Sequence, residues 1–530
     1  MTTERRNTIF ATTALALGVA LFAYVYIVNA WTGDDPYITF RTIDNFVHGY
    51  GLVWNTDERV QAYTDPLWMF LLSGIYYFTR EAYYSMLAVC FAASLGSIIV
   101  ACRTVATTWW RRALLIVVLL ASKAWVDYSS SGLENPLSYL LLASFFGPLL
   151  RDGLHARTPR RFAYYFVISA LAFSNRADSS LLYAPALIAL AIDFARANGI
   201  LKLAWMSVVT MTPAWGWLVF STIYYGFPFP NTAYSKLSAA GPSMPLVHPN
   251  GPIYYLNSLR WDPITLTVIA AATLLALVAI VSRLDGWKVC ALTMAGALLY
   301  LAYTLRIGGD YMSGRFFTMP YLVATLVAVR LCERGLVGIF FGGLALSGYA
   351  LMPRPPIFTT EAYERLPVDP TGILDEAGNY RHYSGIFVVL RNGPSPGRTS
   401  TPPGQRFRQM RPKTMVWGAI GYYGFAVGPE THVVDPIGLP DPLIARIPPR
   451  NLVDGWGRGH FFHDIPDGYV ASQETGDNLV ADPNLHAYYD QLRILTRGPI
   501  FSRERFVAIY RMNTGRYNHL VASYAAAQHR

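Results

Sequence analysis

Long apolar runs alternate with short polar stretches over the first two thirds of the chain. The first run extends from Thr8 to Trp31 without a charge, and a bilayer crossing needs about 20 such residues. Further apolar segments lie near 82–101, 113–127, 136–150, 162–174, 179–195, 203–225, 263–282, 289–305, 316–330 and 335–351. The pattern predicts a polytopic α-helical membrane protein with about 11 transmembrane helices. Arg5 and Arg6 precede the first run, which is longer than the apolar core of a cleavable signal peptide. It is expected to be an uncleaved span with the N-terminus in the cytoplasm. The stretch 67–78 (LWMFLLSGIYYF) is too short to cross and is expected to be an interfacial or re-entrant helix. Ile38, Phe40, Ile43, Phe46 and Val47 recur at helical spacing and predict an amphipathic helix over Asp35–Val47. Both fall in a first outer loop, 32–81.

The charges between segments sharpen this picture. Arg103, Arg111 and Arg112, then Arg151, Arg157, Arg160 and Arg161, then Arg196 and Lys202, Arg283 and Lys288, and Arg330 and Arg334 occupy alternate loops. That is the distribution expected of cytoplasmic loops, and it places residue 352 onward outside. After Met352 the content of Pro, Gly, Arg and Asp rises and no stretch is long enough to span. Two domains are therefore expected: a transmembrane domain over 1–351 and a small extracytoplasmic α/β domain over 352–530. Gly385–Leu390, Met415–Ala419, Tyr422–Val427 and Phe506–Tyr510 are its expected strands, and Arg391–Arg411 its expected mobile loop.

Composition agrees with a membrane protein. Hydrophobic residues make up 53% and charged residues 14%, against about 25% charged in soluble domains. The net charge is +10, but the cations sit in short loops rather than in one basic surface, so nucleic acid is not the expected partner. Cys90, Cys102, Cys290 and Cys332 lie in or beside apolar segments, with no CxxC or Cys/His cluster for zinc or disulfides. No GxGxxG, Walker, HExxH or GxSxG motif is present, so nucleotide cofactors and zinc hydrolysis have no support.

The polar motifs hardest to explain by packing are DDPYITFR (34–41), SGLENP (131–136), NRAD (175–178), PNTAYSK (230–236) and RIGGDYMSGR (306–315). The loop alternation puts all five on the outer side, where they are expected to form one site. Asp34 and Asp35 follow the first span directly. A carboxylate buried beside another gains a tuned pKa, as a group that abstracts or orients a hydroxyl proton requires. Arg41, Arg176, Lys236, Arg306 and Arg315 are outer cations beside span ends, suited to an anion and especially to phosphate. Glu134 and Asp310 are placed either to orient these cations or to hold a cap and a turn. In the outer domain, Asp435 in HVVDPIGLPDP and His460 in RGH are placed either to bind an acceptor sugar or to tie loops together.

Taken in order, DDPYITFRTIDNFVHGYGLVWNTDERVQAYT, SGLENP, NRADSSLL, YYGFPFPNTAYSK, RIGGDYMSGR and DPIGLPDPLIARIP with RGHFF resemble the GT-C superfamily of polyprenyl-phosphate-sugar glycosyltransferases. The resemblance is strongest to the mycobacterial terminal β-(1→2) arabinofuranosyltransferase family and covers nearly the whole chain. It implies a GT-C catalytic domain over 1–351 in a bacterial inner membrane. The implied donor is a polyprenyl phosphate carrying D-arabinofuranose, and the implied acceptor an extracytoplasmic glycan or glycoprotein. No cofactor or metal is implied. In this scheme Arg41, Arg176, Lys236 and Arg315 hold the donor phosphate. Asp34 or Asp35 activates the acceptor hydroxyl or, since the family's net outcome is retention, stabilises an oxocarbenium-like centre. Glu134, Asn231, Arg306, Asp310, Asp435 and His460 support the substrates. A mannosyl- or aminoarabinosyl-transferase is the alternative within the class. A lipid-linked-sugar transporter is the alternative outside it, and would place polar residues near mid-span.

Overall fold

The computed structural model describes residues 3–238, 248–332, 335–356, 371–392, 412–450 and 461–528. Helices dominate. Five are long and apolar enough to cross a bilayer: Arg6–Asn29, Tyr83–Thr104, Ala177–Asn198, Pro263–Val281 and Trp287–Ile307. A sixth results if the bent pair Ile200–Thr210 and Thr212–Tyr225 counts as one span.

The expectation of eleven spans is thereby corrected to five or six among the described residues. Trp109–Ala121 has 13 residues and reaches about 20 Å at 1.5 Å per residue, short of the roughly 30 Å hydrocarbon core. Its apolar run continues in the sequence, but Ser122 breaks it by accepting the Trp125 N–H and starting a separate helix, Lys123–Asp127. Asn135–Asp152 contains Pro148 and ends on Arg151 and Asp152. Thr318–Leu331 has 14 residues, almost all of them buried. A helix that is apolar all round is either a span or a core helix, and this one is enclosed by protein. With fewer crossings, the strict alternation of loop sides no longer follows.

The chain divides into two units: 1–33, 86–214 and 245–392 form the first, and 34–85, 215–244 and 393–530 the second. They interleave along the sequence instead of meeting at a border near residue 352.

In the first unit, Trp287–Ile307 packs along Ser180–Asn198, and Thr318–Leu331 packs on Pro263–Val281 and Asn135–Asp152. Small residues allow this closeness. A Cβ added at Gly296 would stand 2.0 Å from the Leu182 carbonyl oxygen.

In the second unit, the two helices expected in the first loop are present as Asp35–Val47 and Pro66–Thr79. Asp35–Val47 packs on Pro66–Thr79 and on Ile420–Val427. Trp54, Tyr423, Val433 and Ile437 form one apolar core with Ile38. Leu485, Tyr489, Leu492, Ile509 and Tyr469 belong to a second.

The expected α/β domain is mostly helical. Its sheet has two parallel strands, Thr414–Val416 and His432–Val434, with Met415 opposite Val433. Of the expected strands only the run at Met415 contributes, through its first residues. Gly385–Leu390 overlaps the helix Ile386–Asn392, Tyr422–Val427 lies in the helix Ile420–Val427, and Phe506–Tyr510 lies in the helix Arg503–Asn513. Five- or six-residue apolar runs do not separate strand from helix by period alone. The overlooked signal at the last was Ser502, whose side chain accepts the Arg505 N–H and caps the helix. The expected loop 391–411 lies outside the described residues beyond Asn392.

Candidate functional site

The first unit gathers Glu134, Arg176, Asp310 and Arg315 into one buried ionic cluster. Glu134 immediately precedes the helix Asn135–Asp152. Arg176 follows Pro159–Asn175 in extended conformation. Arg315 opens a short turn after Gly314, whose φ of 75° suits glycine. Arg315 Nη2 donates to both Glu134 oxygens, at 3.1 and 3.2 Å, and its Nη1 stands 3.5 Å from Asp310 Oδ2. Arg176 Nη1 donates to Glu134 Oε1 at 2.8 Å. Its Nε and Nη2 grip Asp178 through a fork, at 2.8 and 3.0 Å. Tyr300 donates to the same Asp178 at 3.1 Å, and the Arg176 guanidinium lies 4.6 Å over the Phe316 ring. Burial pushes the Glu134 carboxyl up, but Arg315 and Arg176 outweigh it and hold the group below its ordinary range.

The second unit holds the acidic pair and separates its members. Asp34 accepts the Gly421 N–H at 3.0 Å and the Tyr422 N–H at 2.8 Å, and so caps the helix Ile420–Val427 from 387 residues upstream. Burial pushes its carboxyl up to about 6, opposed by the Tyr422 N–H and reinforced by the charge of Asp35. The Asp35 side chain makes no hydrogen bond among the described residues, and the residue is half-buried.

Three expected site residues are occupied with holding the second unit together. Arg41 is 2% exposed. It donates to the carbonyls of Trp54, Gly424 and Thr431, each at 2.8 Å, and stacks 4.1 Å over the Trp54 ring. It is a structural hub, and its donors are committed before any phosphate arrives. Asn231 donates to the carbonyls of Gly438, Leu439 and Asp441 and accepts from Arg446 at 2.8 Å. Asp435 accepts the N–H groups of Ile437 and Leu439 at 3.0 and 2.9 Å, and burial pushes its carboxyl up to about 8. Lys236 in the second unit and Arg306 in the first are exposed. His460 lies outside the described residues.

Asp178, within NRAD, and Tyr300 complete the cluster, although nothing in the sequence singles out either. A second buried network in the first unit lies equally outside the expected site. Lys123 pairs with Asp127 and, at 2.9 Å, with Asp375, while Arg381 reaches Asp127 at 3.3 Å. A lysine inside an apolar run with an acid four residues on was the available signal. In the second unit, Glu58 lies beneath Arg497 at 3.6 Å and burial pushes it up to about 7.

No protein-family profile matches the chain. It is 26% identical over 568 aligned positions to the terminal β-(1→2)-arabinofuranosyltransferase of Mycobacterium tuberculosis, covering 89% of this chain and 86% of that one. It is also 26% identical to the enzyme of the same name from Corynebacterium glutamicum, over 62% of this chain and 52% of that relative. Among solved structures, it overlaps the Archaeoglobus fulgidus oligosaccharyltransferase with a TM-score of 0.45 and 12% identity, covering 80% of this chain and 62% of that one. It overlaps ArnT from Cupriavidus metallidurans, bound to undecaprenyl phosphate, with a TM-score of 0.42 and 13% identity, covering 82% and 77%. Both are partial likenesses. The chain is a polytopic α-helical membrane protein distantly related to the arabinofuranosyltransferases.

Proposed function

We propose that this protein is a membrane glycosyltransferase that moves a pentose, D-arabinofuranose, from a polyprenyl-phosphate donor to an extracytoplasmic glycan or glycoprotein. The observation that carries the proposal is the guanidinium pair of Arg176 and Arg315, locked by Glu134, Asp178 and Asp310 at the ends of apolar helices. A lipid phosphate stays near the bilayer boundary, because charge deeper in the membrane is expensive. Guanidinium forks match its oxygens. Carboxylates that fix the guanidinium planes remove the cost of reorganising them as charge develops on the leaving phosphate. Arg176 uses three of its five N–H groups on Asp178 and Glu134, which leaves two for an oxyanion. Two cations against three carboxylates leave this cluster one charge negative, so the exposed cation Arg306 of the same unit is proposed to supply further charge for the donor. Asp35 is proposed as the carboxylate that activates the acceptor hydroxyl, because Asp34 is already occupied as a helix cap. The near full-length relationship to the arabinofuranosyltransferases supports the choice of sugar.

The test is a transfer assay with the full chain in lipid nanodiscs, using synthetic polyprenyl phosphates that carry arabinofuranose, mannose or aminoarabinose. Arabinofuranose is expected to be the sugar transferred, and Arg315→Lys to lower turnover by roughly 10²-fold. Turnover of mannose or aminoarabinose alone would replace the proposed donor. Movement of the intact lipid-linked sugar between leaflets, without transfer, would overturn the enzymatic reading.

A further inference from the structure

We infer that the first unit carries a saccharide-binding cleft at the end of the span Pro263–Val281, built from Ser258, Asp375, Lys123 and Trp261. The cleft holds a notch of about 10 Å³, room for a single hydroxyl or water. Two polar side-chain atoms in its lining have no hydrogen-bond partner among the described residues. Ser258 Oγ belongs to a residue 1% exposed, and Asp375 Oδ2 to a side chain 7% exposed. An orphaned buried polar atom is costly, and two in one cleft call for an occupant that satisfies both. A sugar hydroxyl fits, since it can donate to the carboxylate oxygen and accept from the serine.

The charges around the notch select for a neutral ligand. Lys123 and Arg381 balance Asp127 and Asp375. The Asp262 carboxylate, also in the lining, already takes hydrogen bonds from the Ala124 N–H, Ser122 Oγ and both donors of Thr265. Neither a bare cation nor a bare phosphate gains there what a hydroxyl gains. Trp261 supplies the aromatic wall that a sugar ring packs against. Arg260 and Arg354 stand 5.7 and 6.0 Å from its ring, so the rim is cationic above a floor where the Asp262 carboxylate is left over once the Lys123, Arg381, Asp127 and Asp375 charges cancel. Ser313 and Gly314 close the cleft on the side that leads directly into Arg315. The shared chemistry is a hydroxylated sugar ring. Whether that ring belongs to the donor or the acceptor rests on the glycosyltransferase reading.

The experiment measures binding of methyl arabinofuranoside and methyl mannoside to the full chain in detergent by saturation-transfer NMR, for wild type, Ser258→Ala and Ser258→Val. Inorganic phosphate serves as competitor. Ser258→Ala removes an unpaired hydroxyl, so thermal stability should hold or rise while glycoside affinity drops roughly 3–10-fold. Ser258→Val fills the notch and should lose binding while the chain stays folded. Equal binding by all three proteins, no binding by wild type, or displacement of the glycoside by phosphate would overturn the proposal. In the transfer assay, the same substitutions raise KM for the acceptor if the cleft is an acceptor subsite, and KM for the donor if it holds the donor sugar. Serine-dependent glycoside binding in a chain that transfers no sugar keeps the cleft and removes the enzymatic reading. Normal transfer with both KM values unchanged does the reverse.

Discussion

Asp34 and Asp35 are neighbours in the chain but differ in what surrounds them. Both are half-buried, but Asp34 holds two backbone N–H groups, whereas Asp35 keeps its side-chain oxygens available. Asp35→Asn should lower turnover by about 10²–10⁴-fold with an unchanged melting temperature in detergent. Asp34→Asn should weaken the cap by roughly 1 kcal/mol and shift melting first. Stability and turnover, measured side by side for both variants, decide whether the roles are divided this way, and the reverse pattern would exchange them. Arg41 shows the same gap between residue type and role. Arg41→Lys keeps the charge but leaves carbonyls of Trp54, Gly424 and Thr431 without a fork to meet them. A loss of about 2–3 kcal/mol is expected in thermal unfolding. A melting temperature within error of wild type would return Arg41 to the pool of phosphate candidates. The sequence displays an arginine beside an acidic pair. It does not display that the partners of that arginine include carbonyls 383 and 390 residues downstream. Glu134, Arg176, Asp310 and Arg315 were legible as a group because each sits in a polar motif at the end of an apolar run. There, charge next to a membrane boundary stands out against its surroundings.

Helices were easier to read from the sequence than the way each is covered. The apolar runs announce most helices of the first unit. Whether such a helix faces lipid or protein depends on its neighbours, and Thr318–Leu331 was mistaken for a span for that reason. Packing between helices is equally hidden, because a glycine in an apolar run has the same appearance at a tight crossing and on an open face. Gly296 and Gly343 separate the two cases. A Cβ at Gly296 meets the Leu182 backbone, which has no room to yield, whereas at Gly343 nothing lies within 4 Å. Gly296→Ala should destabilise the first unit by about 3 kcal/mol. Gly343→Ala should leave stability unchanged or slightly raised through its better helix propensity. Comparing the monodisperse fraction and melting temperature of the two variants checks the crossing, and equal behaviour would mean that the two helices do not meet there.

At the scale of the molecule, the second unit buries an unusual set of carboxyls. Burial pushes Asp435 up to about 8, Glu58 to about 7, and Asp34 and Asp441 to about 6. In all four the folded state binds the proton more tightly than the unfolded chain. Stability must therefore fall as pH rises from about 4 to about 8. Asp57 works in the opposite sense. Its burial is outweighed by His432 and Arg497, which hold the carboxyl at about 2, so the stability it lends is present above 3.8 and is lost as pH falls toward 2. The melting temperature should drop between about pH 4 and pH 8, and Asp435→Asn should flatten that slope. A flat profile in the wild type would show that these groups are solvated. Of the four raised carboxyls, Asp34 was legible in the sequence, as one of an adjacent acidic pair; the others were not. The composition reports 33 acidic residues, but nothing else in their spacing marks the few that fold without water.

The interleaving of the two units has a consequence for biosynthesis. The second unit draws on 34–85, 215–244 and 393–530, so a ribosome that has released its first third has produced a layer with nothing yet to lie against. The amide groups that Asp34 caps, at Gly421 and Tyr422, are among the later ones to be synthesised. Until they emerge, Trp54, which is fully buried in the finished fold and lies against Gly424, waits without that cover. A nascent chain that still lacks 393–530 thus presents aromatic surface to chaperones and membrane proteases.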